Sequence, residues 1–324
     1  AAMTHSPEFH INRPGALIAA LPAVLGFVPE KSLVLVSLED GRMGAVLRAD
    51  LSDGLADNIG HLAEVAAASG AQTVVAIVVD ADGALCPMCD DDHRRLCAAL
   101  TEALDAHDIG VYAAHVVDRV EAGGAWHCVD GCGARGLVED PSASPLAAAA
   151  VLDGRRLYAR RSDLQAVVAV TDEPRSAGLA DRLRECAQRR DADWRVDPDE
   201  CGRRDVETVI DAAERICSGA ELHDAELAVL ACGLTDVAVR DTLYALAVGA
   251  RAGQAETLWA VLSRTLPDPW RVEALVLLAF SAYSRGDGPL AGLSLEAALR
   301  SAPEHRMAGM LDTALQSGMR PEQI

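Results

Sequence analysis

The chain has 324 residues, half of them hydrophobic, and a formal net charge of −20 at pH 7. This length is sufficient for two domains that each bury a core. The acidic balance argues against general binding to nucleic acid phosphates or to an anionic membrane, because both favour a basic surface. The sequence has no run of the ~20 apolar residues that span a membrane, and its start lacks a signal-peptide pattern. We therefore expect a cytoplasmic protein.

The first stretch with clear periodicity predicts a helix followed by a buried strand. Apolar residues recur at helical spacing from Leu17 to Leu25, Pro14 suits a first helical turn, and Gly26 can close the helix in a left-handed conformation. The run from Leu33 to Leu38 then presents no polar face. Such a run is typical of a central strand that is covered on both sides.

The next segments predict an α/β domain over residues 12–171. The Asp40-Gly41 pair favours a tight hairpin, which leads into an alternating strand from Met43 to Leu51. Two successive strand–helix–strand units contain buried strands at 73–79 and 111–117. Such units predict a mostly parallel sheet, with the hairpin as an antiparallel addition and with flanking helices.

The sequence also predicts a helix between the two buried strands and a long loop after the second of them. The helix between the two buried strands is expected to be capped by one of three adjacent acids, Asp90, Asp91 or Asp92. Residues 118–144 are rich in Gly and Pro and are expected to form a long loop. A loop of this length in a compact domain is either mobile or held by other residues.

A second, all-α domain is predicted over residues 175–320, after a boundary at 171–175. A first helix is expected at 177–190, while residues 162–170 fit either a helix or a strand. Further helices are expected near 205–217, 221–232, 235–250, 254–264, 270–284, 289–301 and 304–317, between Gly and Pro residues. The segment 275–303 resembles a tetratricopeptide repeat, since small residues lie where its two helices would cross. Leu275, however, replaces the usual Trp.

Cysteine pairs are the sharpest chemical signal in the sequence. A Cys-x-x-Cys pair can hold a tetrahedral metal ion, and a second pair can complete four thiolate ligands. The candidate ligands are Cys86, Cys89, Cys128 and Cys132, with His93 or His127 as substitutes. If the strands at 73–79 and 111–117 are parallel neighbours, both pairs leave the same edge of the sheet, and the bound ion would be a structural zinc. Free surface thiols, a redox dithiol and a disulfide formed on purification also fit these residues.

Charged residues form two further candidate ligand sites. Asp80 and Asp118 each end a buried strand, at the edge where open parallel sheets bind ligands, and such a pair could hold Mg²⁺ or act as acid and base. Turn formation is the alternative. An arginine cluster without intervening acids could bind a phosphate or an acidic partner, or form ion pairs within the molecule. Its members are Arg155, Arg156, Arg160 and Arg161. With no Gly-rich phosphate loop, a P-loop nucleoside-triphosphatase is excluded.

The opening stretch also carries a family resemblance. Leu25 to Val34 reads L-G-F-V-P-E-K-S-L-V, and an Arg-x-Asp pattern, Arg48 to Asp50, ends the second strand. This combination resembles an actinobacterial family known as a domain of unknown function. The resemblance continues through Ser144-Pro145-Leu146, Arg161 to Leu164, Arg240-Asp241 and the terminal helices. It implies a compartment and a lineage but no reaction. Related sequences usually have a Cys-Cys-Pro in the second cysteine loop, where this chain has Cys132-Gly133.

These observations favour a non-catalytic interaction or scaffold protein, because helical repeats bind protein partners on their faces. Exposed repeat faces also fit a homo-oligomer. The alternative is an enzyme or sensor that uses a small ligand or a metal at the edge carrying Asp80, Asp118 and the cysteine loops. The opening motif is expected to serve the fold, with the function at the opposite end of the neighbouring strands or on the helical domain.

Overall fold

The computed structural model describes residues 13–39, 42–52, 54–152, 155–317 and 319. The chain forms two compact units, the first built mainly from residues up to Arg161 and the second mainly from residues after it. The first unit contains a six-stranded sheet, and the second is helical. In the part of the chain that is described, no helix combines the length and the apolar character needed to cross a membrane.

The elements of the first unit alternate between helices and strands. They are α1 (Pro14–Leu25), β1 (Ser32–Glu39), β2 (Arg42–Asp50), α2 (Leu55–Ala68), β3 (Thr73–Val79), α3 (Pro87–Asp105), β4 (Gly110–Val117), β5 (Ala125–Cys128), β6 (Arg135–Leu137), a 3₁₀ helix (Pro141–Ala143) and α4 (Pro145–Leu152). The register of β1 and β2 pairs Glu39 with Arg42. The predicted Asp40-Gly41 turn lies outside the described residues.

The sheet has the strand order β2-β1-β3-β4-β5-β6. Strands β3 and β4 are parallel neighbours, as predicted, but the other four pairings between described neighbouring strands are antiparallel. The prediction of a mostly parallel sheet is therefore wrong. Helix α2 starts from β2, which runs opposite to β1, so β3 returns antiparallel to β1. The predicted loop at 118–144 also contributes two antiparallel strands, β5 and β6.

Strand β1 is buried on both faces, which confirms the prediction for a central strand. Leu33 and Leu35 pack into a core with residues of α2 and α3, while Val34 and Val36 pack into a second core with residues of α1. This alternation follows from the period of two in a strand. The predicted cap of α1 is also confirmed, because Gly26 has φ 78° and donates its N–H to the carbonyl of Pro22.

Residues of the opening motif form a polar network beside these strands. The hydroxyl of fully buried Ser32 accepts a hydrogen bond from Arg48 Nε at 2.9 Å, and the Arg48 guanidinium lies over the Phe27 ring at 5.8 Å. Arg48 also pairs with Asp50, which lies 3.9 Å from Arg161. The motif therefore serves the fold, as expected. Its position differs from the expectation, because Ser32 pairs with the last residue of β3 and lies at the carboxyl edge of that strand.

The second unit consists of helices that follow one another closely. They are α5 (Arg161–Gln165), α6 (Glu173–Val196), α7 (Pro198–Cys217), α8 (Asp224–Leu234), α9 (Val237–Leu243) with a 3₁₀ turn (Tyr244–Ala247), α10 (Ala252–Thr265), α11 (Arg271–Ser284), α12 (Gly288–Ser301) and α13 (Arg306–Gln316). The ambiguous segment 162–170 is helical at its start. Helix α6 is longer than predicted. Asp172 caps its start, and the helix continues until Asp197, which caps the start of α7.

A charged cluster lies within the second unit. Glu273 accepts hydrogen bonds from Arg240 Nη1 at 3.2 Å and contacts His305 Nε2, also at 3.2 Å, and all three side chains are largely buried. Burial opposes ionisation of Glu273, but the hydrogen bonds and charges of His305 and Arg240 outweigh it and lower the pKa of the carboxyl group. The ionised carboxylate therefore contributes to the stability of this unit.

The close approach of α1 to β6 can be tested at Gly15. A Cβ added there would lie 2.3 Å from the carbonyl oxygen of Leu137, so Gly15→Ala must displace backbone. We expect the free energy of unfolding to fall by about 2 kcal/mol in a denaturant titration. Gly60→Ala is the matched control, because open space surrounds Gly60 within α2. It should raise stability by about 0.5 kcal/mol, and equal effects of the two substitutions would contradict this packing.

A second test concerns Glu273. Because its pKa is lowered on folding, the unfolded state binds more protons as the pH falls, and the stabilisation is lost below the ordinary value of 4.5. Glu273→Gln should lower the free energy of unfolding at neutral pH by about 3 kcal/mol, because Arg240 loses its partner. The variant should then lose less further stability in acid than the parent protein. Glu296→Gln, in an exposed pair with Arg300, should leave the acid dependence unchanged.

Candidate thiol and metal site

The carboxyl ends of β3 and β4 form the edge at which Asp80 and Asp118 lie. In the parallel register Val79 pairs with Val117, so Asp80 and Asp118 follow the two strands at the same edge. The segments that contain the two cysteine pairs both begin at this edge, but β5 runs antiparallel to β4 and places Cys128 beside His115, so the second pair lies away from the edge. Open α/β sheets commonly bind ligands outside the carboxyl ends of parallel strands.

Helix α3 begins earlier than predicted. Cys86 occupies the N-cap position and Pro87 the start of the helix, whereas the sequence indicated a cap at one of Asp90 to Asp92. Proline suits the first helical position because its φ is fixed near the helical value and its missing N–H would be unpaired there. As a result, Cys86 and Cys89 lie in the first turn of a 19-residue helix rather than in a loop.

The thiols of Cys86 and Cys89 interact with each other, and their properties differ. The pKa of Cys86 is lowered by hydrogen bonds from the backbone N–H of Cys89, from the Cys89 thiol and from the N–H of Met88. The pKa of Cys89 is raised, because its thiol donates to Cys86 and because burial and nearby negative charge oppose its ionisation. The geometry therefore favours a thiolate at Cys86 and a thiol at Cys89.

Asp80 forms a buried pair with His93. Its Oδ2 lies 3.0 Å from His93 Nε2, and the imidazole is 6% exposed, with no hydrogen-bond partner for Nδ1 among the described residues. Gly83 allows this approach: a Cβ there would lie 2.1 Å from Asp80 Oδ2 and 3.2 Å from Cys89 Cβ. The carboxylate and the second cysteine of α3 thus lie on either side of Gly83.

Asp118, in contrast, supports the local turn. Its Oδ1 accepts the backbone N–H groups of Arg119 at 2.6 Å and Ala125 at 2.8 Å, and its Oδ2 accepts from the Arg119 guanidinium at 2.7 Å. These bonds fix the chain between β4 and β5. The alternative of turn formation, rather than an acid–base pair with Asp80, fits these contacts.

The second cysteine pair lies where β5 and β6 are joined. Cys128 ends β5, and the chain turns through Gly131 and Gly133, which have φ of 74° and 81°. The turn brings together one ligand atom each from Cys128, Asp130 and Cys132, all within 4.8 Å of one another, and this is the single group of three or more such atoms among the described residues. Cys86 and Cys89 do not belong to this group.

The electrostatics of this group are those of an anionic cluster. Burial, followed by hydrogen bonding and charge from Asp130 and Cys132, raises the pKa of Cys128 to about 12. Asp130 accepts a hydrogen bond from the backbone N–H of Cys132 at 2.9 Å. This bond and the hydrogen bonds from the thiols of Cys132 and Cys128 lower the pKa of the Asp130 carboxyl group. Without a cation, the cluster holds one carboxylate and disfavours a thiolate at Cys128.

Contacts between side chains connect the two cysteine segments. Asp90 Oδ1, in the first turn of α3, lies 3.2 Å from Nε2 of His127, which precedes Cys128 in β5. Arg94 pairs with Asp90 and donates to the carbonyl of Val129 at 3.4 Å. The two predicted histidines therefore take different roles: His93 pairs with Asp80, and His127 joins α3 to the β5–β6 hairpin.

The arginine cluster contacts other parts of its own unit. Arg155 donates to the carbonyl of Ala23 at 3.4 Å, Arg156 lies 5.2 Å from the centre of the Tyr158 ring, and Arg161 is 3.9 Å from Asp50. Arg160 also takes part in an interaction. These contacts fit the alternative of internal pairing better than a phosphate site.

Sequence reasoning missed Asp130. The Gly residues that follow Asp130 and Cys132 allow a tight turn in which a carboxylate and two thiols can meet. The spacing of Cys128, Asp130 and Cys132 contains this signal, but the cysteine pattern alone does not indicate that the Asp130 carboxylate belongs to the group.

Comparison with known proteins identifies a family. A family model described as a domain of unknown function, DUF4192, matches residues 14–322. No curated protein and no solved structure matches the chain. Function must therefore be argued from the geometry of the chain itself.

Proposed function

The chain belongs to the DUF4192 family, whose description assigns no activity, and from its geometry we propose a metal-dependent enzyme or sensor whose ion is held at the turn between β5 and β6. The observation that carries this proposal is the group of Cys128, Asp130 and Cys132. Three donor atoms within 4.8 Å of one another can move onto one ion with small side-chain rotations.

The donor chemistry favours zinc. Two thiolates and one carboxylate suit a borderline-soft divalent ion, whereas magnesium and calcium prefer oxygen ligands alone. Because a bound cation supplies the positive charge that the cluster lacks, the proton is expected to leave Cys128 when the ion binds. Cys132 and Asp130 are exposed, so an ion in solution can reach the group.

The number of donors supports a functional rather than a purely structural ion. Three protein ligands leave the fourth position of a tetrahedral zinc to water or to a small ligand. A four-thiolate site would instead close that position, and it would require Cys86 and Cys89 to leave their places in α3.

Metal analysis of protein purified without chelator tests this proposal. We expect about one zinc ion per chain, with about two protons released as the two thiols ionise on binding. Replacing both Cys128 and Cys132 by Ser should abolish binding, and Asp130→Asn should weaken it by about tenfold or more, measured by competition with a chromogenic chelator. Cobalt substitution should give a thiolate charge-transfer band that the double variant lacks.

Two controls make this result specific. Cys217→Ser removes an exposed cysteine outside the site and should leave metal content unchanged. Replacing Cys86 and Cys89 together by Ser should also retain the ion. Loss of metal from this second variant would instead support the four-thiolate site predicted from the sequence, and parent protein that takes up no zinc would refute both.

The second unit supports a second function, the interaction or scaffold role expected from the sequence. A groove of about 890 Å³ is lined by residues of α6, α7 and α9. Trp194 lines it and is 43% exposed, which is unusual for a large aromatic residue unless it contacts a partner. Arg190 and Asp236 also line the groove and pair with each other at 2.8 Å. The resemblance of the following helices to a tetratricopeptide repeat also favours binding of a protein.

Affinity capture from native lysate tests this second function. A partner should be recovered with the parent chain and lost with Trp194→Ala, because the indole would supply most of the apolar contact. Val196→Ala is the matched control, since Val196 is 86% exposed but does not line the groove. Equal recovery with both variants would show that the groove is not the binding surface.

A further inference from the structure

The first turn of α3 carries a feature that the proposed metal site does not use. Cys86 and Cys89 are both half-buried, their thiols interact, and neither belongs to the metal-ligand group. We infer that this pair is a redox-active dithiol that exchanges with the disulfide of a polypeptide. The inference is independent of zinc binding at Cys128, Asp130 and Cys132.

Position in the helix makes Cys86 the attacking residue. It occupies the N-cap, at the positive end of the helix dipole, which favours a negative charge on its sulfur. A thiolate is the nucleophile in disulfide exchange, and Cys-x-x-Cys pairs at helix N-termini commonly hold one. Three residues later, in the same turn, Cys89 is placed within reach of Cys86, as its hydrogen bond to that residue requires.

The buried pair behind the dithiol supplies a base. Asp80 and Cys89 both lie close to Gly83, and His93 Nε2 contacts the Asp80 carboxylate at 3.0 Å. His93 is 6% exposed and its Nδ1 has no partner among the described residues, so its one described polar contact is the one with Asp80. Asp80 is therefore positioned to take the proton of Cys89 when that thiol becomes the second nucleophile.

The exchange balances in two steps. The Cys86 thiolate attacks one sulfur of the partner's disulfide; its S–S bond breaks, and the leaving thiolate takes up a proton. Cys89 then loses its proton to Asp80 and attacks Cys86 Sγ, which releases the second partner thiolate to be protonated in turn. The dithiol is oxidised to a Cys86–Cys89 disulfide by two electrons, and the partner's disulfide is reduced to two thiols. The partner's disulfide is the oxidant.

The surface around the pair indicates a polypeptide as the source of that disulfide. Leu85 is 78% exposed and Met88 is 79% exposed, and they flank Cys86 in the sequence. Apolar side chains beside a reactive thiol can contact the residues that adjoin a disulfide in a partner chain.

Trapping with the full-length reduced chain tests the inference. Reduced protein is mixed with a disulfide-bridged apolar peptide, quenched with acid, alkylated and mapped by mass spectrometry. The parent chain should form the Cys86–Cys89 disulfide. Cys89→Ser should accumulate a mixed disulfide between Cys86 and the peptide, and Cys86→Ser should lose both products. Cys217→Ser should behave like the parent. A mixed disulfide formed equally well in Cys86→Ser, or at Cys217 instead, would overturn the inference.

Three further variants separate chemistry from folding. Asp80→Asn should prolong the mixed disulfide by about tenfold or more, while Asp82→Asn, whose carboxylate pairs with Lys31, should not. Replacing Leu85 and Met88 by Ser should slow exchange with the peptide but not with hydroxyethyl disulfide, which is small and uncharged. Equal slowing with both disulfides would refute the docking role. If zinc loading blocks exchange in the parent chain, then the pair binds metal and is not a free dithiol.

Discussion

The parallel pairing of β3 and β4 determines where reactive side chains can meet in this protein. Val79 lies beside Val117, so both strands leave the sheet at one edge, and the segments that follow them carry all four predicted cysteines. The four antiparallel pairings would not do this, because neighbouring strands in such pairs end at opposite edges. One parallel pair, buried among antiparallel neighbours, therefore brings Asp80, Asp118 and the start of the α3 segment to one edge.

Local structure gives the two cysteine pairs different chemistry, although their sequence patterns look alike. Cys86 lies at a helix N-terminus where backbone N–H groups favour its thiolate, whereas Cys128 lies next to a carboxylate that opposes ionisation. A dithiol with one low and one high pKa suits exchange. An anionic group of thiols and carboxylate suits a cation. The contact between Asp90 and His127 links α3 to the β5–β6 hairpin, but the two cysteine pairs remain separate groups.

Much of the first unit follows from the sequence, because its signals are local. The Gly26 cap, the doubly buried β1 and the parallel β3–β4 pair were all predictable from periodicity and residue type. The strand order was not, since the sequence does not specify that β1 lies between β2 and β3 and pairs antiparallel with both. The cap of α3 was misplaced because three acids at 90–92 give a strong capping signal that Pro87 overrides. The role of Asp130 depends on a turn that spacing alone does not specify.

The antiparallel register of β1 also changes how the family motif is to be understood. In a mostly parallel sheet, Ser32 would lie at the end remote from Asp80. In the observed register, Ser32 pairs with Val79, and Lys31 is 2.8 Å from Asp82 in the loop that leads to α3. The motif that identifies the family is therefore at the same edge as the thiols. A network built on Ser32, Arg48 and Asp50 stabilises the base of the loop from which both Asp80 and the α3 dithiol extend. The residues of the motif are therefore constrained both by the fold and by the proposed reactive site.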